Sequence, residues 1–291
     1  MYQSFGSDET ASPNRSGSVR GHVCAWSVVL PFFNEAEHLA DTIAGLARQS
    51  VPFELILVDN GSTDGSGEIA GAAARQFGLD WRLLVQRRPG KVSALAMGLA
   101  AVTTRWVATC DADTWYPPHY LEAAGALLAR PGCVAAGAYY VRTDQPVGRA
   151  ERAARKILLA SRLLPGQCHT GGAGQVFDTA ALRRAGGFDP ARWDLVLEDH
   201  EIIHQMVKHG RVDYAAALWC APSPRERKRP STRWTLIERI AYHMLSDRAG
   251  DWFFTAFLGP RLARRRLTSE RLRESPAPAW LEASMLQQAA A

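Results

Sequence analysis

No run in this chain approaches the roughly 20 apolar residues that a membrane-spanning helix needs. The nearest candidate, Trp252 to Leu258, is followed by Pro260. Cysteine is sparse and unpatterned: the five residues (Cys24, Cys110, Cys133, Cys168 and Cys220) are odd in number and form no Cys-x-x-Cys pair. They read as reduced core thiols of a cytosolic protein. Residues 1 to 20 are rich in Ser, Gly and Asn and lack an apolar core, which argues against a signal peptide or anchor there. A dominant charge is also missing. The balance is 34 basic against 29 acidic residues, net +5, and the surplus lies in Arg225 to Arg233 and Arg261 to Arg273. Local anion sites follow from that, and nucleic-acid binding does not.

What is present is a core. A hydrophobic fraction of 47% over 291 residues is ordinary for one large α/β domain or two small ones. Val23 to Leu30 is an almost unbroken apolar run, as in a parallel strand buried on both faces. Pro31 is expected to end it, and Asn34 to cap a helix from Glu35 to about Gln49. Strand Leu55 to Val58, loop Asn60 to Gly65, helix Ser66 to Phe77, strand Trp81 to Gln86 and helix Val92 to Ala101 follow, with Thr63 or Asp64 as cap of the second helix. A strand from Arg105 to Thr109 then runs into Asp111-Ala112-Asp113. This alternation predicts a mostly parallel sheet wrapped by helices. After Ala215 the pattern reads as helical and basic, which places a boundary near 221 to 230.

The most informative stretch is the pair Asp111 and Asp113 at the carboxyl end of an apolar strand, where ligands of open α/β sheets bind. Along an extended segment the two carboxylates point the same way, and two hard oxygen donors suit Mg²⁺ or Mn²⁺ bridging a diphosphate. Farther on, within Glu198-Asp199, Asp199 is expected to start a helix to His209 with Ile203, Met206 and Val207 as its buried stripe; a carboxylate there is also favoured by the helix dipole. His169, His200 and His204 lack a spacing suited to zinc and read as structural. Gly171 to Gly174 reads as a loop that lets the backbone approach a sugar, or as a plain turn.

Five segments in series resemble family 2 glycosyltransferases: Val28 to Leu39 (VVLPFFNEAEHL), Leu57 to Ser66 (LVDNGSTDGS), Gly90-Lys91 with Ala94 and Gly98, Cys110 to Leu121 (CDADTWYPPHYL), and Leu182 to Pro190 (LRRAGGFDP) followed by Glu198-Asp199. The resemblance covers roughly Val23 to Leu218 and implies a GT-A fold, a Rossmann-like α/β sheet flanked by helices, with a C-terminal helical extension. The expected organisation is a flexible segment over 1–21, the transferase domain over 22–220 and a basic extension over 221–291.

The resemblance also implies roles. Pro31, Phe33 and Glu35 form a nucleotide wall, with Phe33 in place of the usual Tyr, and Asp59 reads the base, which favours a UDP-sugar. Asn60 stands where a second Asp is common. Lys91 neutralises phosphate, Asp111 lies on the ribose side and Asp113 holds the metal, while Asp199 is the base of an inverting transfer with Glu198 as runner-up. The histidines keep a retaining mechanism open. A nucleotidyltransferase is disfavoured because Pro31 to Glu35 stands where a Gly-rich, basic loop should be. A non-catalytic nucleotide-sugar module is disfavoured because both Asp113 and Asp199 are present. In the extension, Trp234, Ile237, Ile240, Ala241, Met244 and Leu245 recur at helical spacing and read as a packed helix. Trp252, Phe253, Phe254, Phe257 and Leu258, followed by Arg261, Arg264, Arg265 and Arg266, suggest peripheral docking on an anionic bilayer or a buried clamp. The acceptor expected on that basis is a lipid or lipid-linked glycan at the inner face of the cytoplasmic membrane.

Overall fold

The computed structural model describes residues 24–141, 147–223 and 234–269, with backbone alone for 147–150. Four parallel strands form its first half: β1 (Trp26–Phe32), β2 (Phe53–Asp59), β3 (Asp80–Val85) and β4 (Trp106–Cys110). Helices α1 (Leu39–Leu46), α2 (Ser66–Gln76) and α3 (Lys91–Ala101) connect them. The second half adds the short β5 (Thr114–Trp115), α4 (Tyr120–Leu128), β6 (Cys133–Gly137), β7 (Tyr139–Tyr140), α5 (Val147–Leu163), β8 (Gly174–Asp178) and α6 (Thr179–Arg184). After these come α7 (Glu198–Val207), β9 (Arg211–Asp213), β10 (Trp219–Pro222), α8 (Leu236–Trp252), a wide-turn π-helical segment over Phe253–Leu258, and α9 (Gly259–Arg264). The central sheet has seven strands in the order β3-β2-β1-β4-β8-β6-β9, and β5-β10-β7 form a small second sheet. The mostly parallel α/β architecture expected from the alternation is present.

The continuous apolar strands are explained by burial on both faces. In β1, Val28 and Leu30 join the core under α1, α2 and α4, while Val29 joins the core under α3, α6 and α7. In β2, Leu55 and Leu57 take the first side and Ile56 and Val58 the second, the period-two alternation of a strand between two helical layers. Gly98 on α3 permits close approach to β1: a Cβ there would overlap Val29 Cγ1.

Several local expectations are corrected. Strand β1 does not stop at Pro31, which pairs with Val58. The β1–β4 ladder ends at Val29–Thr109, and Phe32 O faces β2, where it accepts from Asn60 N. The missing N–H of Pro31 therefore faces the side where pairing has already ceased. Asn34 caps no helix. It adopts φ 51°, its Oδ1 accepts from Thr63 N, and α1 begins only at Leu39. Gly65, not Thr63 or Asp64, is the cap residue of α2. The strand pattern does not end at Ala215, because β10 lies beyond it. The run Arg225 to Arg233, and with it most of the boundary expected near 221 to 230, lies outside the described residues, as does the residue range 1–21.

The C-terminal elements pack onto the rest through Trp193, Val196, Tyr242, Phe253, Phe254, Leu258 and Leu262. Phe253, Phe254 and Leu258 are almost wholly buried, so the clamp reading holds for these rings and they offer nothing to a bilayer. Among the described residues no helix is long and apolar enough to cross a membrane.

Candidate active site

The topology brings distant segments to the carboxyl ends of β1, β2 and β4. Strand β8 runs antiparallel to β4 with Gly174 opposite Cys110, which sets the loop Gly171 to Ala173 beside Asp111. Tyr116 ties the two together: its hydroxyl donates to Ala173 O at 2.6 Å and accepts from Asp111 N at 2.8 Å. Tyr140 OH accepts from Ala173 N at 3.1 Å. The glycine-rich segment is thus a fixed loop. A Cβ on Gly172 would lie 3.3 Å from Asp199 Cβ and 3.5 Å from Lys91 Nζ. That small residue lets Lys91 and the start of α7 converge.

Lys91 is the junction. Its Nζ lies 2.7 Å from Asp111 Oδ1 and 3.4 Å from Glu198 Oε1. A cation in the first turn of α3 is opposed by the helix dipole. Burial opposes its charge as well, but Asp111 and Glu198 outweigh both and hold the ammonium well above its ordinary range. The fold places the Asp111 carboxylate at the end of β4 and the Glu198 carboxylate at the start of α7 on one ammonium.

The Glu-Asp pair splits electrostatically. Burial pushes Glu198 up, against the pull of Lys91. Burial acts on Asp199 in the same direction, but the adjacent His200 overcomes it and holds that carboxyl below its ordinary value. Asp199 Oδ1 accepts from His200 N at 2.9 Å and faces His200 Nδ1 at 2.8 Å. Gln175 Nε2 donates to Asp199 O at 3.0 Å. The His200 ring packs edge-on against Trp234 at 5.1 Å and Tyr242 at 5.5 Å. Leu197, just before the pair, holds φ 66°, a left-handed conformation that costs a branched apolar residue energy. The C-terminal segment bonds to the residues just before this turn, with Val196 N donating to Leu267 O and Leu195 bridging Thr268.

Asp59 stands at the end of β2, where Oδ1 accepts from Ser62 N at 2.8 Å and Oδ2 faces Gly67. Pro31 and Phe33 flank the buried Phe32, and Glu35 N donates to Ser66 Oγ at 2.9 Å. Asn60 has a role only an amide can fill. Its Nδ2 donates to Gln86 O and Arg88 O, and its Oδ1 accepts from Gly90 N. An Asp there would lose both donations, so this buried Asn stitches the end of β2 to the loop that presents Lys91.

Asp111 and Asp113 do not follow strand alternation, because the chain leaves β4 at Cys110 and turns. Asp111 meets Lys91, whereas Asp113 is buried with Thr114 Oγ1 at 3.4 Å and its carbonyl accepts from Ser223 N. Among the described residues no three His, Cys, Asp or Glu side chains gather into a metal site. The donor set near the loop is carboxylate oxygen. It fits a hard Mg²⁺ or Mn²⁺ ion that takes its remaining ligands from phosphate and water, as such ions commonly do.

Sequence reasoning set His200 aside and did not single out Tyr116, Tyr140, Gln175 or Leu197. The position of His200 beside Asp199 was the available signal. The others show nothing before folding brings them together. All five cysteines are unpaired and four are buried, in line with their reading as core thiols.

Comparison with known proteins identifies the family. The family description Glycosyl transferase family 2 matches residues 27–185. The undecaprenyl-phosphate 4-deoxy-4-formamido-L-arabinose transferase of Serratia proteamaculans is 40% identical over 97 residues, 32% of this chain and 30% of that protein. The uncharacterized glycosyltransferase YaiP of Escherichia coli is 28% identical over 242 residues, 76% of this chain and 60% of that protein. The match thus spans under two thirds of either relative's length. Among solved structures, the mannosyltransferase PcManGT of Pyrobaculum calidifontis, in complex with GDP-Man and Mn²⁺, superposes with TM-score 0.58 at 21% identity over 91% of this chain and 72% of its own. Staphylococcus aureus TarS 1-349 in complex with UDP-GlcNAc gives TM-score 0.59 at 19% identity over 86% and 76%. The sheet described above is therefore a GT-A fold, and the family match extends from β1 to the end of α6: the chain belongs to glycosyl transferase family 2.

Proposed function

We propose that this protein transfers a sugar from a nucleotide-diphosphate donor, with UDP-sugars favoured, to an acceptor hydroxyl with inversion at the anomeric carbon. The observation that carries the reading is Lys91, whose single ammonium contacts both Asp111 on the donor side and Glu198 on the base side. A donor with its diphosphate near Lys91 would present its anomeric carbon toward the start of α7. Asp199, kept charged by His200, takes the acceptor proton while the acceptor oxygen bonds the anomeric carbon. The bond from that carbon to the diphosphate oxygen breaks on the opposite face, and Lys91 offsets the charge that develops there. Asp59 accepts from the base, Pro31, Phe33 and Glu35 flank it, and Asp111 faces the ribose. Asp113, with Asp111 nearby, would hold Mg²⁺ or Mn²⁺, which when bound supplies further stabilisation of the departing diphosphate.

The acceptor class is a lipid or a glycan carried on one, at the inner face of the cytoplasmic membrane. Relatives named for undecaprenyl-phosphate support it, and nucleotide-sugar complexes of the fold neighbours support the donor class. One observation favours a second assignment: the raised Glu198 carboxyl lies nearer the range in which a general base works best. Donor binding and single-turnover transfer by Asp199→Asn and Glu198→Gln separate the two. Near-normal donor affinity with transfer down on the order of 10²-fold or more is expected for Asp199→Asn. A larger loss in Glu198→Gln, with Asp199→Asn near normal, moves the role to Glu198.

A further inference from the structure

Helix α8 is built inside out. The side chains it buries include Glu238, Tyr242, Ser246 and Gly250, and Glu238 is kept inside by an ion pair to Arg265 at 2.7 Å. Four of its apolar residues face the other way: Leu236, Ile237, Ile240 and Met244 are each half exposed or more. Ile237, Ile240 and Met244 fall at i, i+3 and i+7, one continuous stripe. A helix that packs only inward carries polar residues on that face, so this stripe calls for a cover.

A second apolar row adjoins it. The loop that follows α5 reaches the middle of α8, where Gln167 Nε2 donates to His243 O at 3.2 Å and Gly166 meets the Asp247 side chain. On α5, Leu159 and Leu163 stand one turn apart and are both largely exposed. Exposed cations accompany them: Arg152, Arg155, Lys156 and Arg162, with Glu151 the one exposed acid among residues 151–163. On α8 the exposed Arg239 and Arg248 are matched by the exposed Asp247 and Asp251, so the positive surplus lies on α5. Apolar rows flanked by Lys and Arg are the composition of a helix that lies in a membrane surface. A second copy paired through this face would set like charges together, since a two-fold interface repeats the same patch on both sides. An anionic surface has no such conflict.

We propose that the outward face of α8 and the adjoining end of α5 dock on an anionic lipid bilayer. This surface differs from the buried Phe253 and Phe254, and it lies beside the acceptor side of the site. Tyr242, on the inner face of α8, packs against His200 next to Asp199. Docking through the outer face would hold that side of the site close to the headgroups, where a lipid-borne acceptor resides. This purpose rests on the glycosyltransferase reading. The docking itself does not, because its test needs neither donor nor acceptor.

The test is flotation of the full chain with vesicles of phosphatidylcholine alone or mixed with phosphatidylglycerol, at low and raised salt. Wild-type protein is expected to float with the mixed vesicles and to be released by salt. Ile237→Gln/Ile240→Gln/Met244→Gln should keep the wild-type melting temperature, since these sites are exposed, and lose binding by about a hundredfold. Arg155→Glu/Lys156→Glu should lose it by about tenfold or more, at roughly fivefold per cation. Wild-type protein that stays down at low salt overturns the proposal, whether a second copy or residues 270–291 cover the face. So does unchanged flotation of both variants, binding that ignores phosphatidylglycerol, or light scattering that shows the triple variant splitting a wild-type dimer. Sugar transfer lost in a variant that still floats, or absent throughout, bears on the catalytic reading alone.

Discussion

Replacing Lys91 by Met removes a cation that touches both Asp111 and Glu198 and keeps most of the side-chain volume. The cost is set by burial. Breaking a fully buried ion pair leaves an uncompensated charge and costs about 3–5 kcal/mol, whereas an exposed pair is worth at most about 1 kcal/mol. Lys91 is 33% exposed and its partners 22% and 19%, so solvent screens part of the effect and about 2 kcal/mol is expected near neutral pH. For a domain of this size that is a drop of roughly 4–8 °C in melting temperature. The sign of its pH dependence follows from Glu198. Burial already raises this carboxyl, and loss of Lys91 raises it further. A group whose folded-state pKa is raised contributes stability below its unfolded value and loses it as pH rises through the folded one. The Lys91→Met deficit should therefore shrink on acidification from about pH 7.5 to about pH 5, as Glu198 takes up a proton. Asp199, held low, destabilises both proteins as acid protonates it, which largely cancels in the difference. Paired melts of wild type and variant at the two pH values decide the matter. Equal melting at both, or a gap that widens in acid, would refute this account of the junction.

Three further outcomes follow. Asp113→Asn should keep the fold yet abolish Mn²⁺-dependent donor binding, read by calorimetric titration of UDP- and GDP-sugars with and without the ion; undiminished turnover in chelator would contradict it. His200→Gln removes the partner that holds Asp199 low, so the acidic limb of the rate profile should move to higher pH while donor affinity stays, and an unmoved limb would deny His200 its positioning role. Gly98→Ala should destabilise by about 1–3 kcal/mol in chemical denaturation, because its methyl would overlap Val29 in a packed interface; a neutral result would mean that α3 shifts freely over β1.

Much of the first half was legible because its signals are local. An apolar strand buried on two faces has no polar positions, and Gly-rich turns sit between strands and helices. Such patterns expose the α/β alternation, and they place Asp59, Lys91, Asp111 and Asp199 at element ends, where the structure finds them. Local propensity misjudged Pro31 and Asn34, because strand pairing and a hydrogen bond to Thr63 outweighed it. The convergence of Lys91, Asp111 and Glu198 was not readable from spacing. It depends on β8 entering antiparallel beside β4 and on the absence of a side chain at Gly172. Nor could helical periodicity tell which side of α8 is buried. A stripe of Ile and Met reads as core in any sequence, and only the fold, by seating Glu238 on Arg265 and Tyr242 on His200, turned that stripe outward.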